Sequence, residues 1–150
     1  MRILLQRVLE AKIVIGTNEY AAIKKGLLLF IGIGREDTSE DLEWLVTKTL
    51  NMRIFSDSKD QMNYSVQDIQ GELLVVSQFT LFASTKKGNR PGFSMAAPPE
   101  EAKNLYQQFV NKLEENSGKK IKTGIFGEDM KVYLVNDGPV TVFIDTKNKE

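Results

Sequence analysis

The 150-residue chain has no cysteine and no histidine. Without cysteine there is no disulfide framework, no thiolate nucleophile and no thiolate-held zinc or iron-sulfur site. Without histidine there is no Ser-His-Asp triad and no imidazole metal ligand. Chemistry is left to hydroxyls, carboxylates, lysines, backbone amides, or a group that a substrate brings with it. Charge of one sign is also lacking, since 20 Lys and Arg balance 20 Asp and Glu. No overall field draws the chain to nucleic acid or anionic lipid, so any such partner has to be met by a local patch. Long apolar runs are missing too: Arg2, Gln6 and Arg7 break the opening segment, and no run reaches the roughly 18 residues of a membrane span. The expectation is a cytoplasmic protein.

What is present is ordinary for a soluble fold, with 41% hydrophobic, 27% charged and 9% aromatic residues. A chain of this length buries about 70% of its unfolded surface. No repeat, low-complexity tract or linker interrupts it, so residues 1–150 are expected to form a single domain.

Residues Arg2 to Ile15 read as two strands, followed by a turn at Gly16-Thr17-Asn18 and a short strand over Tyr20 to Ile23. Leu27 to Ile33 is a continuous apolar run ending in glycines, as expected of a central strand buried on both faces. Thr38 or Ser39 followed by acids starts a helix with Leu42, Leu45, Val46 and Thr49 on one face, ending near Met52. Ser56 to Gln70 reads as loop, and Gly71 to Phe82 as a buried strand that turns polar near its end. Pro98-Pro99-Glu100-Glu101 opens a second helix, with Ala102, Leu105, Tyr106, Phe109 and Leu113 on one face and Gly118 beyond it. Ile121 to Ile125, Met130 to Val135 and Val140 to Thr146 read as three further strands. The order predicts an α/β fold of α+β character, with mixed sheets in a layered or barrel-like core and two main helices on one side.

Four stretches could carry chemistry. Ser77-Gln78-Phe79-Thr80 puts two hydroxyls and an amide at a strand end. In a regular strand Ser77 and Phe79 share one face and Gln78 and Thr80 the other. The competing reading is a strand end whose polar groups bond locally. Asn136-Asp137-Gly138-Pro139-Val140-Thr141 contains a proline that cannot donate to a sheet ladder. It is therefore an edge, a bulge or a turn, a simple hairpin turn being the plainest reading. Lys86-Lys87-Gly88-Asn89-Arg90 is a cationic loop, either solvated surface or a contact for a phosphate backbone. Glu128 and Asp129 lack the ligand series a hard cation needs, so no metal is expected. Gly32-Ile33-Gly34 lacks the third glycine of a dinucleotide fingerprint and the lysine of a phosphate loop, so it is not read as a nucleotide site.

Taken together, Ser77-Gln78-Phe79-Thr80-Leu81-Phe82 and Asn136-Asp137-Gly138-Pro139-Val140-Thr141 resemble the two signatures of the D-aminoacyl-tRNA deacylases. The likeness extends through Met1-Arg2, Arg7-Val8, Gly88-Asn89-Arg90-Pro91, Phe126-Gly127 and Met130; Gly92 is less typical of the family. The resemblance implies a homodimer that hydrolyses the ester between a D-amino acid and the terminal adenosine of tRNA. It also implies activity on glycine misattached to tRNA, and no cofactor. Ser77, Gln78, Phe79 and Thr80 would form the catalytic segment, with backbone amides around Gln78, Phe79 and Thr80 as the oxyanion site. Gly138-Pro139 would be cis and reach into the partner's site, steadied by Arg7. Phe126 and Met130 would wall the ribose or base, and Lys86, Lys87 and Arg90 would meet tRNA phosphates. The terminal 2′-hydroxyl would assist the attack, leaving Thr80 a positioning role. A module that grips RNA ends without hydrolysis and a purely structural dimer are the competing classes, and zero net charge counts against the first.

Overall fold

A computed structural model of the protein describes residues 1–149. The chain runs β1 (Arg2–Ile15), β2 (Asn18–Ile23), β3 (Gly26–Gly32), α1 (Ser39–Asn51), β4 (Phe55–Ser56), β5 (Met62–Tyr64) and β6 (Glu72–Ser77). A 3-10 segment (Phe79–Phe82), α2 (Pro99–Ser117), β7 (Lys122–Thr123) and β8 (Lys131–Asp145) follow. The six-stranded sheet has the order β2-β1-β3-β6-β7, with β8 pairing along β1. β3, β6 and β7 are parallel to one another, and β1 is antiparallel to β2, β3 and β8. This mixed, barrel-like sheet with two helices matches the expected α/β class.

The sheet has two packed faces. Leu27, Leu29 and Ile31 of β3 and Leu73 and Val75 of β6 face the helices, where they meet Leu45, Val46, Phe109 and Leu113. Leu28, Leu74 and Val76 point the other way, into a smaller core with Val8, Ala11, Ile13 and Ile23. β3 is thus buried on both faces, as its unbroken apolar run predicts. The first turn of α1 is fixed by a capping box between Thr38 and Asp41. α2 starts at a proline and ends at Gly118, whose φ is 66°. Among the described residues, no helix is long and apolar enough to cross a membrane.

Several expected boundaries are corrected. Arg2 to Ile15 is one strand, not two. Ile3 and Leu5 of β1 join the helix-side core, whereas Ala11 and Ile13 join the other. Equal parity on opposite faces requires an extra residue between them, and the β1 register against β8 shifts at Val8/Glu10. The stretch read as loop from Ser56 to Gln70 holds the short β4-β5 hairpin, with Asp57 accepting from the Lys59 and Gln61 amides at 2.7 and 3.0 Å. The strand expected to run to Phe82 stops at Ser77, and the one expected over Ile121 to Ile125 shrinks to two residues. The last two expected strands are one, β8, and Asn136–Thr141 is not a hairpin turn. It is an interruption within that strand, because Gln6 pairs with Thr141 while Val8 pairs with Asn136. Two residues of β1 span five positions of β8 there, so the intervening residues loop out of the ladder.

Candidate active site

Parallel strands deliver their carboxyl ends to one rim. β3 leaves the sheet at Gly32, β6 at Ser77 and β7 at Thr123, so Gly34–Asp37, Phe79–Phe82 and Ile125–Met130 are neighbours there. Ser77 is the last residue in register, paired with Ile31. Gln78 then takes φ −146° and ψ 79°, and the chain tightens into the 3-10 segment. The alternation expected for Ser77 to Thr80 is lost, because a 3-10 segment has three residues per turn rather than two per strand repeat.

The main-chain groups of this turn divide sharply. The Gln78 amide donates to Ile31 O at 2.7 Å, the Leu81 amide to Gln78 O at 3.3 Å and the Ala83 amide to Thr80 O at 3.0 Å. Gln78's amide is therefore committed to the sheet, which removes it from the expected oxyanion set. The Phe79 and Thr80 amides have no acceptor among the described residues, as the first amides of a helical turn do not. The Gln78 side-chain amide donates to Thr80 Oγ1. That amide is not a base, and no other partner of the Thr80 hydroxyl is found among the described residues.

The turn rests on glycines whose role the sequence conceals. A Cβ on Gly32 would lie 2.9 Å from Gln78 O and 3.2 Å from Leu81 Cβ, and one on Gly34 would lie 2.8 Å from Phe82 Cζ. Gly32-Ile33-Gly34 is thus the bed on which the 3-10 segment lies. Arg2 holds it from the other side: Nη1 donates to Leu81 O at 3.0 Å, the guanidinium stands 4.5 Å over the Phe82 ring, and Nε pairs with Asp145 at 2.8 Å. Burial works against the Asp145 charge, but the Lys147 amide and Arg2 outweigh it and hold the carboxyl below its ordinary value. The sequence singles out Gly32-Ile33-Gly34 only as a rejected nucleotide site and Arg2 only as part of the family likeness; the supporting role of each is visible in the fold alone.

Phe126 packs on the helix-side core with its ring 5.8 Å from Tyr106, and Met130 packs on the other core. They flank one rim loop, each anchored on a different core. Burial pushes the Tyr106 hydroxyl up, so it stays protonated and donates to Val75 O at 2.9 Å, two residues before Ser77.

The second motif lies elsewhere. The Gly138-Pro139 peptide is cis, as expected, and both residues are exposed. Arg7 is buried beneath it, with Nη1 donating to Ile54 O at 2.6 Å and Nε 3.3 Å from Asp137 O. The Asn136 side chain donates to Arg7 O and Val140 O at 2.9 and 3.1 Å, closing the looped-out segment. Ser77, Ile31, Ile3 and Ile144 form one register row, so β6 and β8 stand three strand spacings apart. Pro139 lies further back along β8, which puts the two motifs on the order of 15 Å apart. One chain does not bring them together. Lys86, Lys87 and Arg90 sit in an exposed loop closed at its base by paired Ser84 and Gly92 bonds of 2.8 and 2.9 Å.

The overall fold is also that of a solved structure. The c-Myc DNA Unwinding Element Binding Protein superposes with a TM-score of 0.92 at 41% identity, over 97% of this chain and 98% of its own. The model of the D-Tyr-tRNA(Tyr) deacylase family matches residues 4–145. The D-aminoacyl-tRNA deacylase of Flavobacterium johnsoniae is 55% identical over 150 residues, all of both chains, and that of Thermotoga petrophila is 52% identical over 146 residues, 97% of each. The chain belongs to the D-Tyr-tRNA(Tyr) deacylase family.

Proposed function

We propose that the protein is a D-aminoacyl-tRNA deacylase, working as a homodimer in the cytoplasm and built from residues 1–150 as one domain. The observation that carries this reading is the family match over residues 4–145, which spans both the Ser77–Thr80 turn and Gly138-Pro139. Water attacks the ester carbonyl, the acyl-oxygen bond breaks, and the tRNA hydroxyl leaves with a proton. The Phe79 and Thr80 amides receive the negative charge on the carbonyl oxygen. The terminal 2′-hydroxyl of the substrate assists the attack, which suits a chain without histidine or cysteine.

The dimer supplies what one chain keeps apart. β8 has one partner strand, β1, and its other edge is unpaired over a length of fifteen residues among the described ones. Tyr133 and Phe143 of β8, and Leu9 of the adjoining β1, expose about half their surface (54, 52 and 51%). A long apolar edge of this kind calls for cover. Docking on it brings Gly138-Pro139 to the partner's turn, where main-chain carbonyls hold the substrate's α-amino group and backbone fills the space an L side chain needs. Glycine escapes this exclusion, so glycyl-tRNA is also a substrate. Phe126 and Met130 border the ribose or base, and Lys86, Lys87 and Arg90 meet backbone phosphates.

The test is hydrolysis of matched D-tyrosyl-, glycyl- and L-tyrosyl-tRNA, each with and without a 2′-deoxy terminal adenosine. Loss of the D and glycyl esters, with the L ester spared and the deoxy substrates inert, is the expected result. Equal inertness of all three would sink the assignment in favour of a binding module.

A further inference from the structure

Beside the 3-10 segment lies a cleft of about 510 Å³. One wall is Phe82 to Lys86, leaving the turn; the other is Gly34 to Asp37, leaving β3, with Met95 at the rim. Its acids are largely consumed. Asp37 is turned inward, its side chain 2% exposed, and accepts the Gly34 amide at 2.6 Å. Asp145 is held by Arg2 and by the Lys147 amide, and Lys147 in turn pairs with Asp41 at 2.6 Å. Among the described residues this leaves Arg35 and Lys86 as the cleft's cations without a carboxylate partner, against the single unengaged acid Glu36.

Arg35 is anchored where it can serve as a fixed contact. Its Nε donates to Ser94 O at 2.7 Å and its amide to Met95 O at 3.2 Å, which ties the guanidinium to the ledge that carries Met95. Met95 is 54% exposed, and Phe79 at the start of the 3-10 segment is 57% exposed, edge-on to Phe93 at 5.0 Å. Cations interleaved with exposed apolar groups suit a single strand, whose bases are free to rest on side chains while its phosphates meet the charges. A paired stem keeps its bases stacked and has no use for the apolar ledge.

We propose that this cleft binds the unpaired nucleotides immediately before the terminal adenosine, with Arg35 and Lys86 on their phosphates and Met95 under a base. The inference rests on the deacylase reading and adds how the enzyme tells a single-stranded 3′ end from a duplex end. Binding is measured by fluorescence anisotropy on two uncharged RNA hairpins, one ending in three unpaired nucleotides and one blunt, with the wild type, Arg35→Gln and the Arg35→Gln/Lys86→Gln pair. The wild type is expected to prefer the overhang several-fold, and the double variant to lose that preference. Its salt slope on the overhang is expected to flatten by about 0.7 for each phosphate contact removed. Equal wild-type affinity for both hairpins, or a preference and slope that survive in the double variant, would overturn the cleft. Wild-type hydrolysis of D-tyrosyl-tRNA is read in parallel: cleavage without overhang preference rejects the cleft alone, and preference without cleavage rejects the deacylase reading alone.

Discussion

The Arg7 guanidinium lies directly under Gly138, so that a Cβ added there would stand 3.0 Å from Arg7 Nη2. One side chain on β1 thereby supports a peptide looped out of β8, while its other nitrogens are held by Ile54 O at 2.6 Å and by the Asp137 carboxylate at 3.1 Å. An ammonium has the charge but not the fork to serve these three points together. Arg7→Lys is expected to lower kcat/KM on D-tyrosyl-tRNA by about tenfold or more, and stability by about 1–2 kcal/mol through the unpaired Ile54 carbonyl. Unchanged kinetics in a folded Arg7→Lys protein would separate this residue from the site.

Gly34 tests the bed of the turn. The Cβ of Gly34→Ala meets Phe82 at 2.8 and 2.9 Å, and that ring cannot withdraw freely because it is buried beneath Arg2. The 3-10 segment has to shift, carrying the Phe79 and Thr80 amides with it. Misplacement on the order of 1 Å costs about a hundredfold in rate, so steady-state kinetics should show a fall in kcat at least as clearly as a rise in KM.

How much of this was legible in the sequence depends on what each signal encodes. The apolar run of β3, the capping box at Thr38 and the proline start of α2 are local signals, and they predict their elements closely. The turn after Ser77 is different, because Phe79-Thr80-Leu81-Phe82 is as strand-like as the residues before it. What ends the strand is tertiary, the open surface above Gly32 and Gly34. In the same way Asn136-Asp137-Gly138-Pro139 has the composition of a hairpin turn, and only its continued pairing with β1 makes it an interruption within one strand. The two motifs could be named from their resemblance to a family, but their separation in one chain is a matter of register, which composition does not carry.

Thr80 bears a hydroxyl at the rim, yet its bonding partner is the Gln78 amide. No group placed there can take its proton. Thr80→Ala is expected to keep kcat within about tenfold of the wild type, as loss of one hydrogen-bonding group implies. Complete loss of activity with the fold intact, or an acyl-enzyme trapped by rapid quench, would restore a covalent route.

Asp41 sets an acid limit on stability. Burial pushes its pKa up, but bonds from Lys147, Thr146 and Thr38 outweigh this and hold it well below the ordinary carboxylate value. A folded-state pKa below the unfolded one stabilises above the unfolded value, near 4, and that contribution is lost as pH falls through the folded value. Asp41→Asn is therefore expected to cost about 1–2 kcal/mol at pH 7 and progressively less below about pH 4. Denaturant unfolding at pH 7 and pH 3 checks it, and an equal cost at both would contradict the assignment.

The central claim is that the Ser77–Thr80 turn of one subunit is completed by Gly138-Pro139 of the other. Gly138→Ala, at φ 120° with its Cβ 2.8 Å from Val140 Cγ2, disables the donor of that segment, and Gly34→Ala disables the turn. The two inactive proteins are mixed, dissociated and reassociated, and D-tyrosyl-tRNA hydrolysis is measured. Random pairing leaves one intact site in each mixed dimer, so activity should recover to about a quarter of the wild type. A mixture no more active than the mean of its two components would contradict the shared site.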